Sequence, residues 1–355
     1  MSDPRLTIDL SKIRDNARKV LSLCRAHGIE PAGVTKVCCA EPRVAQALVD
    51  EGFTMLADSR LDNLERIRHI PVPKLLLRIP MISEAARAVM LADCSLLSEP
   101  AAARALSAAA VKAGKVHGVL PMLELGDLRE GCPDEAALFA LAREIVSLPG
   151  LALQGVGANF ICYGGVVPSR ENLTRLVRAR NELEARLGVP VPWISGGGSY
   201  AEKLLISGGV PAEVNHLRTG ALIHVGIGEG DRRVPGYHGD AYRLTAEVVE
   251  ANVKPSMPWG EIGTDAFGHT HEWVDRGPIR RVILAVGRQD VEPDALTPED
   301  PGAIILGASS DHLLMDVTHC GRDFRVGDRM TFAAGYASVL RACTSPYVHK
   351  TCVGE

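Results

Sequence analysis

The chain has 355 residues, 46% of them hydrophobic and 23% charged, with a formal net charge of -4. That length allows one large or two medium domains, and the weak negative charge excludes a bulk electrostatic pull toward nucleic acid. No charge-free apolar run is long enough to span a bilayer, and the opening MSDPRLTIDL lacks a secretion-signal pattern, so a cytoplasmic protein is expected.

An amphipathic segment over 10–23 leads into the apolar run Gly33-Val34-Thr35-Lys36, and a second amphipathic segment covers 43–51. This reads as helix, strand, helix, with Lys36 at the C-terminal end of the strand. In parallel α/β proteins that end carries the chemistry. A buried lysine there loses its proton and attacks a carbonyl, forming a Schiff base; a structural lysine would only snorkel at the strand end. From about residue 8 to 235, short apolar runs alternate with helical periodicity. Strands are expected near 31–37, 55–58, 74–79, 94–97, 119–125, 153–159, 193–196 and 214–217. Helices lie between them, for example over 99–113, 134–147 and 170–186. Eight nearly even repeats predict a closed (β/α)8 TIM barrel over residues 1–235, in preference to an open doubly wound sheet.

After residue 235 strand-like runs take over, at 242–253, 279–286, 303–306, 312–317 and 329–332, with Val326-Gly327-Asp328 as a turn. A C-terminal, mostly-β domain over 236–355 is predicted. The polar interval 254–276, with Trp259, His269, His271 and Trp273, reads as a long excursion loop. Its two histidines at i, i+2 are a weak metal signal, solvent-facing loop histidines are the plainer account, and no metal is expected. The nine cysteines are scattered and form no CxxC pair, which predicts reduced thiols.

Gly196-Gly197-Gly198-Ser199 follows the seventh strand and Arg218-Thr219-Gly220-Ala221 the eighth. Loops at these two places in barrels build phosphate sites from backbone amides, although either stretch alone would pass for a tight turn. A phosphate site and a Schiff-base lysine in one barrel mouth point to pyridoxal 5′-phosphate (PLP). The chain resembles the fold-type III PLP enzymes, the alanine racemase group, in particular its alanine/ornithine racemase-like branch. The resemblance rests on Thr7-Ile8-Asp9-Leu10 with Asn16, Val34-Thr35-Lys36, and Ala57-Asp58-Ser59-Arg60 with Asn63. It continues through Leu125-Gly126-Asp127-Leu128-Arg129-Glu130-Gly131, residues 195–199 and Gly307-Ala308-Ser309-Ser310-Asp311-His312.

The resemblance implies roles. Lys36 holds PLP and acts as one of two bases; Ser199, Gly220, Ala221 and Tyr347 bind its phosphate; Arg218 faces the ring nitrogen; Arg129 meets the substrate carboxylate. An arginine cannot give its proton to the ring, so the ring stays a weak electron sink, which favours racemisation over decarboxylation. Compared with alanine-specific members, the second-base tyrosine looks replaced by Arg288, a poor base, which leaves His312, Asp311 and Asp290 as candidates. Asn159 replaces a histidine, Met122 a lysine and Ala40 a tyrosine. These changes open the pocket, and Asp311 and Asp290 could meet a terminal ammonium, although both could equally cap turns. The resemblance thus implies an isomerase: an amino-acid racemase, acting on a basic substrate such as ornithine or lysine, in a homodimer with shared active sites. An alanine/serine or broad-specificity racemase, a PLP-binding homeostasis protein and a D-hydroxyamino-acid aldolase are the alternatives.

Overall fold

The computed structural model describes residues 3–354 except 269 and 271, so the two loop histidines fall outside the described residues. The chain divides into two compact units, one of Ser11–His238 and one combining Met1–Leu10 with Gly239–Glu355.

The first strand, β1 (Arg5–Asp9), belongs to the second unit. The first unit holds β2 (Glu30–Val34), β3 (Leu56–Asp58), β4 (Lys74–Leu76), β5 (Cys94–Leu97), β6 (His117–Pro121), β7 (Leu151–Leu153), β8 (Gly155–Gly157), β9 (Trp193–Gly198) and β10 (His216–Thr219). All pairings are parallel, in the order β7-β6-β5-β4-β3-β2-β10-β9-β8. The two end strands are consecutive in sequence. Gln154 between them donates its amide to Val119 on one side and accepts from Trp193 on the other. The nine strands are therefore eight, one of them interrupted, and the sheet closes into a barrel.

Local chemistry explains the surrounding helices. Over Arg170–Leu187, Ser169 and Asn172 form a capping box at the start, Leu173, Leu176, Val177 and Leu183 line the buried stripe, and Gly188 ends the helix at φ 64°. Inside the barrel, Ala32, Val34, Ala57, Leu75, Leu96, Leu120 and Met122 form one buried cluster against which Trp193 packs. Space there is tight. A Cβ on Gly155 would lie 2.2 Å from the Trp193 carbonyl oxygen, so only glycine lets β8 approach β9 at this point.

The second unit is an eight-stranded sheet built on β11 (Tyr242–Pro255), β12 (Pro278–Leu284), β13 (Leu296–Pro298), β14 (Ile304–Ala308), β15 (Leu313–Asp316), β16 (Arg329–Ala334) and β17 (His349–Val353). The long β11 pairs antiparallel with β1, β12 and β16, and β1 pairs parallel with β17.

Here the structure corrects the expected boundary. Residues 1–10 were assigned to the barrel, yet β1 alternates buried and half-exposed residues and buries Leu6 and Ile8 in the second unit's sheet. Its partners lie more than two hundred residues away, so no local pattern announces them. Strand ends also move. The run expected over 31–37 stops at Val34, and Lys36 opens a single 3-10 turn, Lys36–Cys38. Apolar loop residues at the barrel mouth prolong the hydrophobic run without continuing the ladder. The strand β1 falls on the opening segment Thr7-Ile8-Asp9, which the resemblance marks as a strand, whereas a helix over Tyr336–Thr344 and the strands β13 and β17 have no counterpart in the expected elements. Each of the nine cysteines is free, and among the described residues no helix is long and apolar enough to cross a membrane.

Candidate active site at the barrel mouth

Lys36 stands half-buried two residues beyond the end of β2. The residue before it is anchored across the sheet: the Thr35 hydroxyl donates to Asp58 Oδ2 at 2.8 Å. Asp58 Oδ1 accepts from the Arg60 amide at 3.0 Å and from Asn63 Nδ2 at 2.9 Å. Burial pushes the Asp58 carboxyl above its ordinary range, against the downward pull of these donors. Cys39 and Ala40, directly after the lysine turn, adopt φ of 50° and 49°. Among the described residues the other non-glycine positions at positive φ, Leu128 and Ile161, lie in the loops after β6 and β8. Left-handed backbone at residues other than glycine is strained, and here it gathers at the C-terminal ends of the barrel strands.

Next to β2 lie β10 and then β9, so their loops share the mouth with Lys36. Ser199 Oγ accepts from the backbone amides of Gly220 at 2.9 Å and Leu222 at 3.2 Å. A Cβ on Gly220 would press on Val34 at 3.1 Å, so glycine lets the end of β10 close on β2. Both amides spend their protons on the Ser199 oxygen, which fixes that hydroxyl and leaves its own proton to donate to an anion at this loop-to-helix junction. Beneath it His224 Nε2 bonds the Val34 carbonyl at 2.8 Å, and burial lowers this imidazole to about 4, so it is neutral.

Arg218 is buried, and the hydrogen bonds it donates go to uncharged oxygens. They reach the Ala158 carbonyl at 2.7 Å, Asn159 Oδ1 at 2.9 Å, the Ser195 carbonyl at 3.3 Å and the Ser195 hydroxyl. Desolvation lowers its guanidinium to about 10, which still leaves it charged at neutral pH. His216 Nδ1 lies 2.8 Å from the same Ser195 hydroxyl, and the ring stacks on Trp193 with centroids 5.1 Å apart. Burial drives this histidine down to about 3.

Arg129 lies in the loop after β6, paired side by side with Glu130. Glu130 Oε1 also accepts from Asn159 Nδ2. A network Arg129–Glu130–Asn159–Arg218 therefore runs from the mouth into the barrel. Of the expected barrel residues, Ser199, Gly220 and Ala221 gather on the loops of two adjacent strands, Lys36 stands at the next strand, and Arg129 joins Arg218 through this network. Glu130, Ser195, His216 and the Thr35–Asp58 clamp had no expected role. Glu130 was legible only as part of the motif 125–131, because a carboxylate beside an arginine in a loop ordinarily reads as solvated.

The remaining expected residues lie in the second unit. The amides of Arg288 and Gln289 donate to the carbonyls of Ser309 and Ser310 at 2.8 and 3.0 Å, which knits the two turns together. A Cβ on Gly287 would stand 2.3 Å from the Ser310 oxygen, so the contact requires glycine. Arg288, Asp290, Asp311 and His312 thus share one loop cluster. Arg288 is held by Glu292 at 3.1 Å. Asp290 is buried and accepts from the Ser345 hydroxyl at 2.6 Å; the same Ser345 oxygen accepts from the amide of the exposed Tyr347 at 3.1 Å. Asp311 and His312 are exposed.

Comparison with known proteins agrees with this architecture. The alanine racemase N-terminal domain family matches residues 8–226. The chain is 39% identical to the ornithine racemase of Acetoanaerobium sticklandii over 98% of this chain and 99% of that one. It is 38% identical to the lysine racemase of Thermotoga maritima, with 98% of each chain covered. The alanine racemase structure from Bacillus anthracis with bound L-Ala-P superposes with a TM-score of 0.74, covering 100% of this chain and 96% of that one, and at 15% identity shows the fold alone. The chain belongs to the alanine racemase family. Its activity is that of an amino-acid racemase, an isomerase.

Proposed function

We propose that this racemase uses PLP and interconverts the L and D forms of a basic amino acid, ornithine or lysine. The observation that carries the cofactor is the meeting, at three adjacent strand ends, of Lys36, the Ser199–Gly220 contact and the buried Arg218. The substrate class is supported by full-length similarity to racemases named for ornithine and for lysine.

PLP, when bound, supplies the electron sink that loosens the proton on the substrate Cα. The chain's residues do the rest. The Ser199 hydroxyl, the backbone at Gly220 and Ala221, and Tyr347 would hold the phosphate. Lys36 would hold the cofactor and would exchange the substrate's Cα proton through Nζ on one face. Arg218 would keep its own proton beside the cofactor, because a guanidinium does not release it at neutral pH. Arg129 orients the substrate carboxylate. On the opposite face His312 serves as the second base, supplied by a second copy of the chain in a homodimer, and Asp311 pairs with the terminal ammonium. Arg288, unable to release a proton, and Asp290, bonded by Ser345, shape the loop that presents these two. The free cysteines suit a reducing cytoplasm.

The test is Cα proton exchange. PLP-loaded protein is incubated in D2O with L-ornithine, L-lysine, L-alanine or L-serine and followed by NMR and chiral chromatography. Loss of the Cα signal with appearance of the D form is expected, fastest for ornithine or lysine. Faster turnover of alanine or serine overturns the substrate class. Exchange without inversion overturns the second base, and no exchange with any of them overturns the reaction.

A further inference from the structure

We propose that Glu130 is a positioning residue that couples the two arginines of the site, holding Arg129 directly and Arg218 through the amide of Asn159. This rests on the roles given to those arginines above and adds one that neither family likeness nor the reaction assigns.

The polarity of the network is forced. Arg218 can only donate and an ionised Glu130 can only accept. Asn159 lies between them, with Arg218 at Oδ1 (2.9 Å) and Glu130 at Nδ2, so its amide has a single orientation that satisfies both. Glu130 in turn spans two partners. Its two oxygens face the Arg129 fork, and Oε1 is shared with Asn159. The side chain is 16% exposed, so little of this pairing is left to water.

Charge gives the arrangement its purpose. A buried cation needs a compensating anion, yet the hydrogen bonds Arg218 donates end on carbonyl, hydroxyl and amide oxygens. Glu130, one hydrogen bond further out, is the first carboxylate this network reaches, and its field helps hold the proton on Arg218. A carboxylate in direct contact would have to displace one of the four oxygens that already hold the fork. Placed one amide away, it fixes the fork without taking its N–H groups from the oxygens that hold them. The same carboxylate holds Arg129 through Nε and one Nη, which leaves its remaining N–H groups to meet a substrate carboxylate.

Glu130→Gln separates positioning from bulk. Glutamine has one acceptor oxygen and two N–H donors, so it can serve Asn159 or Arg129 but turns a donor toward the other. Three properties are read in parallel: the thermal midpoint of the cofactor-free protein, the visible absorption band of bound PLP across pH, and kcat and KM for L-ornithine. The cofactor-free midpoint is expected within a few degrees of the parent. The pH midpoint of the visible band is expected to move by about one unit and kcat to fall roughly 10–100-fold, the range typical when an outer hydrogen-bond partner of an active group is removed. A visible band and kcat matching the parent would overturn the proposal. Should Glu130→Gln fail to fold, Asn159→Leu cuts only the branch to Arg218. It is then expected to move the band with KM nearly unchanged, and an unmoved band overturns the coupling. If the parent racemises no amino acid, the reaction falls, while the band still decides the role of Glu130.

Discussion

Asp290 and Asp311 sit on neighbouring turns of the second unit, yet only one carboxylate is available to a ligand. Asp290 is buried and takes the Ser345 hydroxyl at 2.6 Å, so it ties the turn to the segment preceding Tyr347. Asp311 is exposed and takes the hydroxyl of its neighbour Ser310 at 2.7 Å, a contact that a stronger cationic partner can displace. Asp311→Ala is therefore expected to lower the kcat/KM preference for ornithine over alanine about tenfold or more, equivalent to about 1.4 kcal/mol. Competition kinetics with the two amino acids measure it, and full retention of selectivity would remove Asp311 from substrate recognition. The sequence presented both aspartates as equals, because burial and the Ser345 contact arise from chain segments 55 residues apart. Lys36 stands out in the sequence as a cation closing a short apolar run and Ser199 by the glycine triplet before it, whereas the role proposed for Arg218 comes from the resemblance.

Among the elements, β2 and β3 show how the lysine is set in place. Thr35 belongs to no strand, but its hydroxyl bonds Asp58 at the end of β3, and Asp58 also gathers Arg60 and Asn63. Thr35→Val keeps the shape and removes the donor, leaving a buried carboxylate oxygen short of a partner, at a cost of about 1–3 kcal/mol. A lower urea midpoint is expected, with Thr35→Ser restoring most of it; a midpoint equal to the parent would show that the clamp contributes nothing. The helix Tyr336–Thr344 illustrates an element hidden from sequence. It is nine residues long and carries Tyr, Val and Thr, which favour strands, but burial of Ser338, Val339 and Ala342 on one face decides for helix.

For the whole molecule, acid sensitivity follows from three buried histidines of the barrel unit. Burial lowers His117 and His224 to about 4 and His216 to about 3. Each folded-state value lies below the unfolded value of about 6.5. Their contribution is intact above about pH 6.5 and is lost as the pH falls from there toward 4, because the unfolded chain then binds protons that the native barrel refuses. Each histidine contributes a slope of about 1.4 kcal/mol per pH unit across that window. Urea midpoints taken from pH 7 to pH 5 should fall steadily, and His117→Asn should flatten the decline. A flat profile in the parent would mean that these imidazoles reach solvent.

The sequence by itself determined the repeating strand–helix units of the barrel, the β character of the C-terminal unit and the residues at the strand ends. These are local consequences of side-chain periodicity, of glycine where backbone must approach closely, and of a lone cation closing an apolar run. Only the tertiary structure decided the closure at Gln154, the placement of β1 between β11 and β17, and the coupling of Arg129 to Arg218. The bonds that join Asn159 to Glu130 and to Arg218 span 29 and 59 residues. Periodicity acts within a few turns of chain, whereas a hydrogen-bond network across a closed barrel exists only once distant strands have been brought side by side.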